Sequence, residues 1–483
     1  MPLDKKPEIL ADGLTIVVKR DCATCVMTVP VIDALVRLNG ARVLTQDDPS
    51  FPDGVPSSHD ADLSISWHHN IETVPTLLRI VGGQEVGRAE GWNRQEWRAL
   101  TGSADLGHDL PAFRPGCGSL SVDPDRAIEL AVRFGSGLSS RRIDLASQED
   151  EIEALYQRGW SDGLPLVPPT EARVLAMLEG TSRRPDEVVA IVPPDLVPVT
   201  VEKVAINAVM AGCKPEYLPV VLAAVEAACT DTFNMHGLLA TTMPVGPVLI
   251  VNGPIRTRIG MESGVNVLGQ GNRANATIGR ALQLVIRNVG GGRPGEVDRA
   301  THGNPGKLGF CFAEDEENSP FTPLAVQQGA ADGDDVVTLF AGEGPRCVVD
   351  QLSRTPESLA NTLASCLRAV PHPKLFMAFD AVLILGPEHA RVFAEAGWDR
   401  DRVLAEIAAR SIVPGIEVVR GASGITEGMP EGFRDTPLPK FRPGGLLLVH
   451  AGGSAGLFSA IIGGWVNGDT GSQPITARIA PWR

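Results

Sequence analysis

The chain has 483 residues, 43% of them apolar, and sets 43 Lys and Arg against 58 Asp and Glu for a formal net charge of −15. That content supports more than one hydrophobic core, and the acidic balance with no basic stripe excludes a phosphate-neutralising nucleic-acid binder. Eight cysteines are too few for a disulfide scaffold, and Met1-Pro2-Leu3-Asp4-Lys5-Lys6 lacks the apolar run of a signal peptide, so a reducing cytoplasm is expected.

The first domain is read over residues 1–105. Leu14-Thr15-Ile16-Val17-Val18 predicts a strand that runs into Lys19-Arg20-Asp21-Cys22-Ala23-Thr24-Cys25. From Val26 to Leu38 the apolar residues recur at helical spacing. Cys22 should therefore sit where the first unpaired N–H groups of a helix point, a field that favours the thiolate, the nucleophilic form of cysteine. Asp21 opposes that charge, while Lys19 and Arg20 favour it. A strand follows near Ala41 to Thr45, then a polar loop from Asp47 to Asp60 and the segment Leu63 to Trp67. Ile71 to Val81 reads as a strand, Gly82-Gly83 as a turn into a returning strand, and Trp92 to Leu100 as a closing helix.

These residues resemble thioredoxin in three places. Pro30 stands five residues after Cys25, at the position of the proline that bends the family's active-site helix. Val74-Pro75-Thr76-Leu77-Leu78 is similar to the family's cis-proline loop, which holds an extended partner against the thiol pair, and Gly82-Gly83-Gln84-Glu85 to the turn of its last hairpin. The resemblance implies that Cys22 attacks, Cys25 resolves, and Pro75 is cis and contacts the partner. The chain departs from the family in three places: Asp21 stands for its tryptophan, Ala23-Thr24 for its Gly-Pro, and Ile16 for its buried acid.

Residues 106–147 read as a linker carrying Cys117 between Gly116 and Gly118. That thiol is either an internal substrate of the first domain, a second reactive thiol, or an incidental loop cysteine. Beyond it, 148–483 reads as a large α/β domain. Glu149 to Tyr156 is helical. Gly159-Trp160-Ser161-Asp162-Gly163-Leu164-Pro165 is a stiff loop in which Asp162 either binds substrate or serves a crossover, and Thr170 caps a helix from Glu171 to Leu178. From this loop onward the chain also resembles a bacterial protein family associated with cysteine and selenocysteine, which adds a thiol theme without site assignments.

Helices are expected over Glu202 to Met210 and Pro215 to Cys229. Cys213, beside Lys214 at a helix start, is expected to have a lowered pKa and to pair with His236 as nucleophile and base; the alternative is a buried cysteine and a satisfied histidine. After a strand at Val248 to Val251, Gly264 to Leu268 reads as a short strand leading through Gly269, Gly271 and Arg273 into a helix from Asn275 to Asn288. Arg273, Arg280 and Arg287 share one face, an anion cradle for a small substrate, although no acidic second strand completes a dinucleotide fingerprint. Glu314-Asp315-Glu316-Glu317 reads as a solvated turn in preference to a cation site.

Three apolar strands, at Val248, Ala381 and Leu446, each end in a Gly/Pro-rich turn. They suggest two lobes, 148–330 and 331–483, from an old duplication, with a cleft at the strand carboxyl ends near Asn252, His450 and Ser454. Gly444 to Val466 is uncharged but holds seven glycines, and reads as a strand, a turn and a short buried helix rather than a membrane span. No Walker lysine accompanies the glycines at 452–456.

The leading expectation is a thiol-dependent enzyme, a thiol–disulfide oxidoreductase or a thiol-dependent lyase. Its CxxC domain would serve a small substrate on the large domain and be recharged by a cellular thiol reductant. No resident cofactor is required. The alternatives are a protein that sequesters a thiophilic metal ion and a hydrolase or lyase whose large domain acts alone. No nucleic-acid or membrane partner is expected, and a second copy of the chain is a candidate partner.

Overall fold

The structure, a computed structural model, describes residues 10–146 and 149–481. The reading of Met1 to Lys6, the first residues of the first domain and the boundary at residue 148 lie outside them. The chain divides into two compact units at Leu138 and Ser139. Most of the predicted linker therefore belongs to the first unit.

In the first unit the elements are β1 (Gly13–Val18), α1 (Ala23–Asn39), β2 (Arg42–Thr45), β3 (Ser58–His59), α2 (Ser64–His68), β4 (Thr73–Val74), β5 (Thr76–Val81), β6 (Gln84–Glu90), β7 (Trp92–Asn93), α3 (Arg94–Thr101), β8 (Phe113–Arg114), β9 (Cys117–Gly118) and α4 (Pro124–Phe134). β3-β2-β1-β5-β6 form one sheet. β1 runs parallel to β2 and antiparallel to β5, so Ile16, Val17 and Val18 are central and fully buried. The β5–β6 hairpin turns on Gly82 and Gly83 at φ 59° and 73°. Asp12 fixes that turn by accepting both glycine amides at 2.9 and 2.8 Å.

α1 ends where Gly40, at φ 64°, returns its amide to Leu35 and Val36. Leu63 to Trp67 enters the helix α2 because the Asp60 carboxylate accepts the amides of Ile65 and Ser66. Trp92 and Trp97 meet edge to face at 5.3 Å and anchor α3.

The second unit contains α5 (Glu151–Gln157), α6 (Glu171–Leu178), β10 (Val188–Val192), β11 (Val197–Thr200), α7 (Val201–Ala211), α8 (Leu218–Ala228), α9 (Met235–Ala240), β12 (Gly246–Asn252), α10 (Ile255–Arg258), α11 (Arg273–Asn288), β13 (Cys311–Ala313), α12 (Leu324–Gln327), β14 (Val336–Gly342), β15 (Arg346–Val349), α13 (Pro356–Arg368), β16 (Phe379–Leu385), α14 (Pro387–Glu395), α15 (Arg400–Arg410), β17 (Val413–Pro414), β18 (Pro437–Leu438), β19 (Leu446–His450), β20 (Phe458–Val466) and β21 (Ile475–Arg478). Thr170 caps α6 through the Arg173 amide, as the sequence predicts.

Its main sheet is built from two matching halves. In one, β12 is parallel to β13 and antiparallel to β14; in the other, β16 is parallel to β19 and antiparallel to β20. The halves join through the single pair Gly342 and Gly464. The last strand of each then crosses over, β15 pairing with β20 and β21 with β14. Val248, Ile250 and Phe312 from one half share a core with Val382, Ile384, Leu447, Val449 and Ile462 from the other. The separate lobes at 148–330 and 331–483 are thus replaced by one unit, because a half without the crossing strand would leave a sheet edge open.

Two further expectations change. Phe458 to Val466 is strand β20, not a helix: its apolar residues line up across β16, and Gly463 and Gly464 lie too close to Val370, Phe340 and Asp380 to carry a Cβ. Gly264 to Leu268 is a turn, not a strand. Among the described residues no helix is long and apolar enough to cross a membrane.

Candidate functional site

Cys22 is the N-cap of α1, in extended conformation at φ −149°, and its Sγ accepts the Cys25 amide at 3.3 Å. A sulfur in this position takes the part usually played by serine or aspartate and is stabilised as an anion by helix-end N–H groups. The Cys22 sulfur also lies 3.4 Å from the Val74 carbonyl, in the residue before Pro75, and the Val74–Pro75 bond is cis as the resemblance implies.

A third thiol stands beside this pair. β4 pairs antiparallel with β9, so that Val74 lies opposite Cys117 and Thr73 opposite Gly118. The Cys25 and Cys117 side chains both interact with the Cys22 sulfur in the sense that favours its ionised form. Those contacts, with the amides of Cys25 and Thr24, overcome burial and draw the Cys22 pKa down to about 5. Burial, and then the interaction with Cys22, push Cys25 well up; Cys117 is raised for the same two reasons in the same order. The arrangement favours the ionised form at Cys22 and the protonated form at Cys25 and Cys117. Arg20 contributes less than its position suggests, since it pairs with Asp48 at 2.5 Å and with Asp53 at 2.6 Å.

The remaining predicted site residues lie in the second unit and do not form one constellation. Cys213 is sealed in the core with its thiol on the Thr277 carbonyl at 3.4 Å, and burial raises its pKa to about 12, the reverse of the expectation. His236 is exposed on α9, and no described contact joins it to Cys213. Burial outweighs the helix-end and Lys214 effects that the sequence advertises.

Asp162 and Arg280 do come together, but they bind each other. Arg280 Nε and an Nη donate to the two carboxylate oxygens at 2.7 and 2.8 Å, and the guanidinium also donates to the Pro165 carbonyl at 3.0 Å. Arg273 donates to the Gly212 carbonyl, while Gly269 and Gly271 lie in the turn before α11. Arg280 therefore clasps loop 159–165 and Arg273 is engaged by Gly212, so the arginine face is not an open anion cradle.

Burial works to raise the Asp162 pKa, yet Arg280's hydrogen bonds and charge bring it below the ordinary 3.8. A depressed folded-state pKa stabilises fully above 3.8 and loses that contribution as pH falls through the folded value. Arg280→Ala should cost about 1.5–3 kcal/mol at pH 7. In urea titrations the gap to the parent chain should shrink at pH 3.

The second unit also carries a cleft of about 620 Å³, a size suited to a small molecule. It is lined by Glu262, Asp315, Arg391, His450, Gly452 and Ser454, so the expected ligand positions His450 and Ser454 do face it. Asp315 donates its amide to the His450 carbonyl at 2.8 Å, and its own carbonyl meets His450 Nδ1 at 3.0 Å, joining the ends of β13 and β19. With Nδ1 so engaged, Nε2 is the ring nitrogen left for a ligand.

Asn252 is not among the residues that line the cleft; it donates to Glu314 and Glu316 at 2.7 and 2.8 Å. The acidic run 314–317 is consequently no solvated turn. Glu314 is fully buried against Arg400, and Glu316 and Glu317 pair with Arg256. Arg391 escaped the sequence reading, and Asp315 entered it only as part of an acidic run, whose position directly after an apolar strand was the available signal.

Among the described residues no group of three or more His, Cys, Asp or Glu could hold a metal ion. Neither a scan against protein-family models nor a search of curated proteins returns a match for the chain.

Proposed function

We propose that the first unit is a thioredoxin-like thiol–disulfide exchange domain in which Cys22 is the nucleophile and Cys25 the resolving thiol. It supplies electrons for chemistry on a small substrate taken up by the cleft of the second unit. The observation that carries this reading is the Cys22 sulfur at the helix N-cap, 3.3 Å from the Cys25 amide and beside the residue preceding cis-Pro75. The strand order β3-β2-β1-β5-β6 and Pro30 inside α1 also support it.

In the forward half, the Cys22 thiolate attacks one sulfur of a disulfide and expels the other as a thiolate. Cys25 then gives its proton to that leaving thiolate and attacks Cys22 Sγ, so the second half departs as a thiolate, which takes a proton from solvent, and a Cys22–Cys25 disulfide remains. A cellular thiol reductant returns two electrons and two protons. Cys25, fully buried and with a raised pKa, stays protonated until the mixed disulfide removes the thiolate beside it.

Reduced full-length protein should be mixed at pH 5 with excess 2-hydroxyethyl disulfide, where ordinary thiols are protonated. The expected result is release of both halves of one disulfide per chain, with a new internal disulfide that includes Cys22. The Cys22→Ser chain should release neither. Release that survives Cys22→Ser would sink the assignment.

A further inference from the structure

We propose that residues 111–119 are a built-in partner strand of the thiol pair, and that Cys117 is a third redox thiol able to resolve a disulfide formed on Cys22. The proposal rests on the reading of Cys22 as the exchange nucleophile and names the partner that the domain carries within its own chain.

The segment is bonded on both sides of Cys117. Before it, the Trp92 indole donates to the Pro111 carbonyl at 2.6 Å, the Arg94 amide to Ala112 at 2.9 Å, and Thr24 Oγ1, between the two CxxC cysteines, to Pro115 at 2.6 Å. After it, the Ser119 amide donates to the Glu72 carbonyl at 2.9 Å, and Gln46 donates to the Ser119 hydroxyl at 2.6 Å. β8 pairs with β7 and β9 with β4, so the arm adds extended backbone to the edge that flanks the cis-proline, the way a bound peptide augments a sheet.

The fit is close. A Cβ on Gly116 would lie 2.3 Å from Thr73 Cγ2 and 2.7 Å from the Val74 carbonyl, so only glycine lets the arm approach here. Directly opposed antiparallel residues have Cα atoms about 4.5–5.5 Å apart. Val74 is the residue opposite Cys117, and the Cys22 sulfur touches its carbonyl. Cys117 thus occupies the place from which a partner's cysteine would meet Cys22. The arm also covers the nucleophile, which is only 3% exposed, while Cys117 itself is partly exposed. An external extended polypeptide must displace the arm to use this edge.

The step balances as an ordinary exchange. A low-molecular-weight disulfide first places one of its sulfurs on Cys22 and leaves as a thiolate. Cys117 loses its proton to that thiolate and attacks Cys22 Sγ; the Cys22–Cys117 bond forms, the mixed disulfide breaks, and the second small thiol departs with a proton from solvent. Two cysteines are oxidised and one small disulfide is reduced.

The test uses the full chain with Cys25→Ser, treated after reduction with 2-hydroxyethyl disulfide, acid-quenched and mapped by peptide mass. The expected product is a Cys22–Cys117 disulfide. The hydroxyethylthio group should be retained on Cys22 at least ~10-fold less than in Cys25→Ser/Cys117→Ser, where nothing resolves it. Equal retention in the two variants overturns the role of Cys117 and leaves Cys22 as the exchange nucleophile. Cys22 remaining a free thiol in both overturns the exchange reading and this proposal with it. If Cys25→Ser fails to fold, Cys25→Ala provides the same comparison.

Discussion

At pH 5 the reaction of Cys22 with a neutral disulfide should still run at about half of its own high-pH plateau, because its pKa lies at about 5. A cysteine at the ordinary value of 9.0 would retain only ~10⁻⁴ of its plateau at that pH. Dividing each rate by its own plateau removes differences in access, which matter because the arm covers Cys22. Absolute rates near pH 8 should not be unusually high. A sulfur about four units less basic is intrinsically slower by ~10²-fold when nucleophilicity follows basicity with a slope of ~0.4–0.5. The acid-active phase should vanish in Cys22→Ser and persist in Cys213→Ser, whose native thiol is buried with a pKa of about 12. A Cys22 profile with its midpoint above pH 8 would show that the interactions with Cys25 and Cys117 do not hold a thiolate.

The contrast between Cys22 and Cys213 shows where sequence reasoning reaches. Both cysteines precede helical segments beside cationic residues, and the local pattern assigns both a lowered pKa. The difference arises from contacts distant along the chain. Cys22 lies against Val74 and Cys117, brought there by β4 and the arm, whereas Cys213 is sealed against Thr277 of α11. The strands β1, β12, β16 and β19 were legible because continuous apolar runs bounded by Gly and Pro have few other readings.

β20 was not legible, because an uncharged glycine-rich run fits a buried helix or a buried strand equally well until its partners are known. The Asp162–Arg280 clasp was half legible. The sequence marks Asp162 in a stiff loop and Arg280 in an arginine stripe, but their separation of 118 positions gives no hint that they satisfy each other. The two-half pattern of the second unit was visible as a repeated strand and turn. Its crossing strands, β15 and β21, were invisible because short exposed strands carry little periodic signal.

Arg400→Ala should destabilise the second unit by about 3–5 kcal/mol, seen as a lower urea midpoint for that unit's transition. Arg400 and Glu314 are 3.1 Å apart with side chains 3% and 0% exposed, and each is held further by the fold. Arg400 donates to the Gln327 side chain at 2.8 Å and to the Leu448 carbonyl. Glu314 accepts from Asn252 and from the Leu324 amide at 2.7 Å each, and from the His450 amide at 3.4 Å. Removing the cation leaves a buried carboxylate with neutral donors only. Burial already raises the Glu314 pKa, and the Arg400 charge is the main opposing influence, so in the variant it rises further.

A folded-state pKa above the unfolded value of 4.5 gives stability that is present below 4.5 and lost as pH rises through the folded value. The variant should therefore fall further behind the parent at pH 8 than at pH 5. Glu314→Gln/Arg400→Met should recover much of the loss, because an apolar and neutral pair escapes the desolvation cost that the lone carboxylate bears. If Arg400→Ala matched the parent at every pH, the pair would not be what compensates the buried Glu314 carboxylate beside the β13–β19 joint. Since Asp315 and His450 sit at that joint and line the cleft, the same variant should weaken binding there even where the unit stays folded.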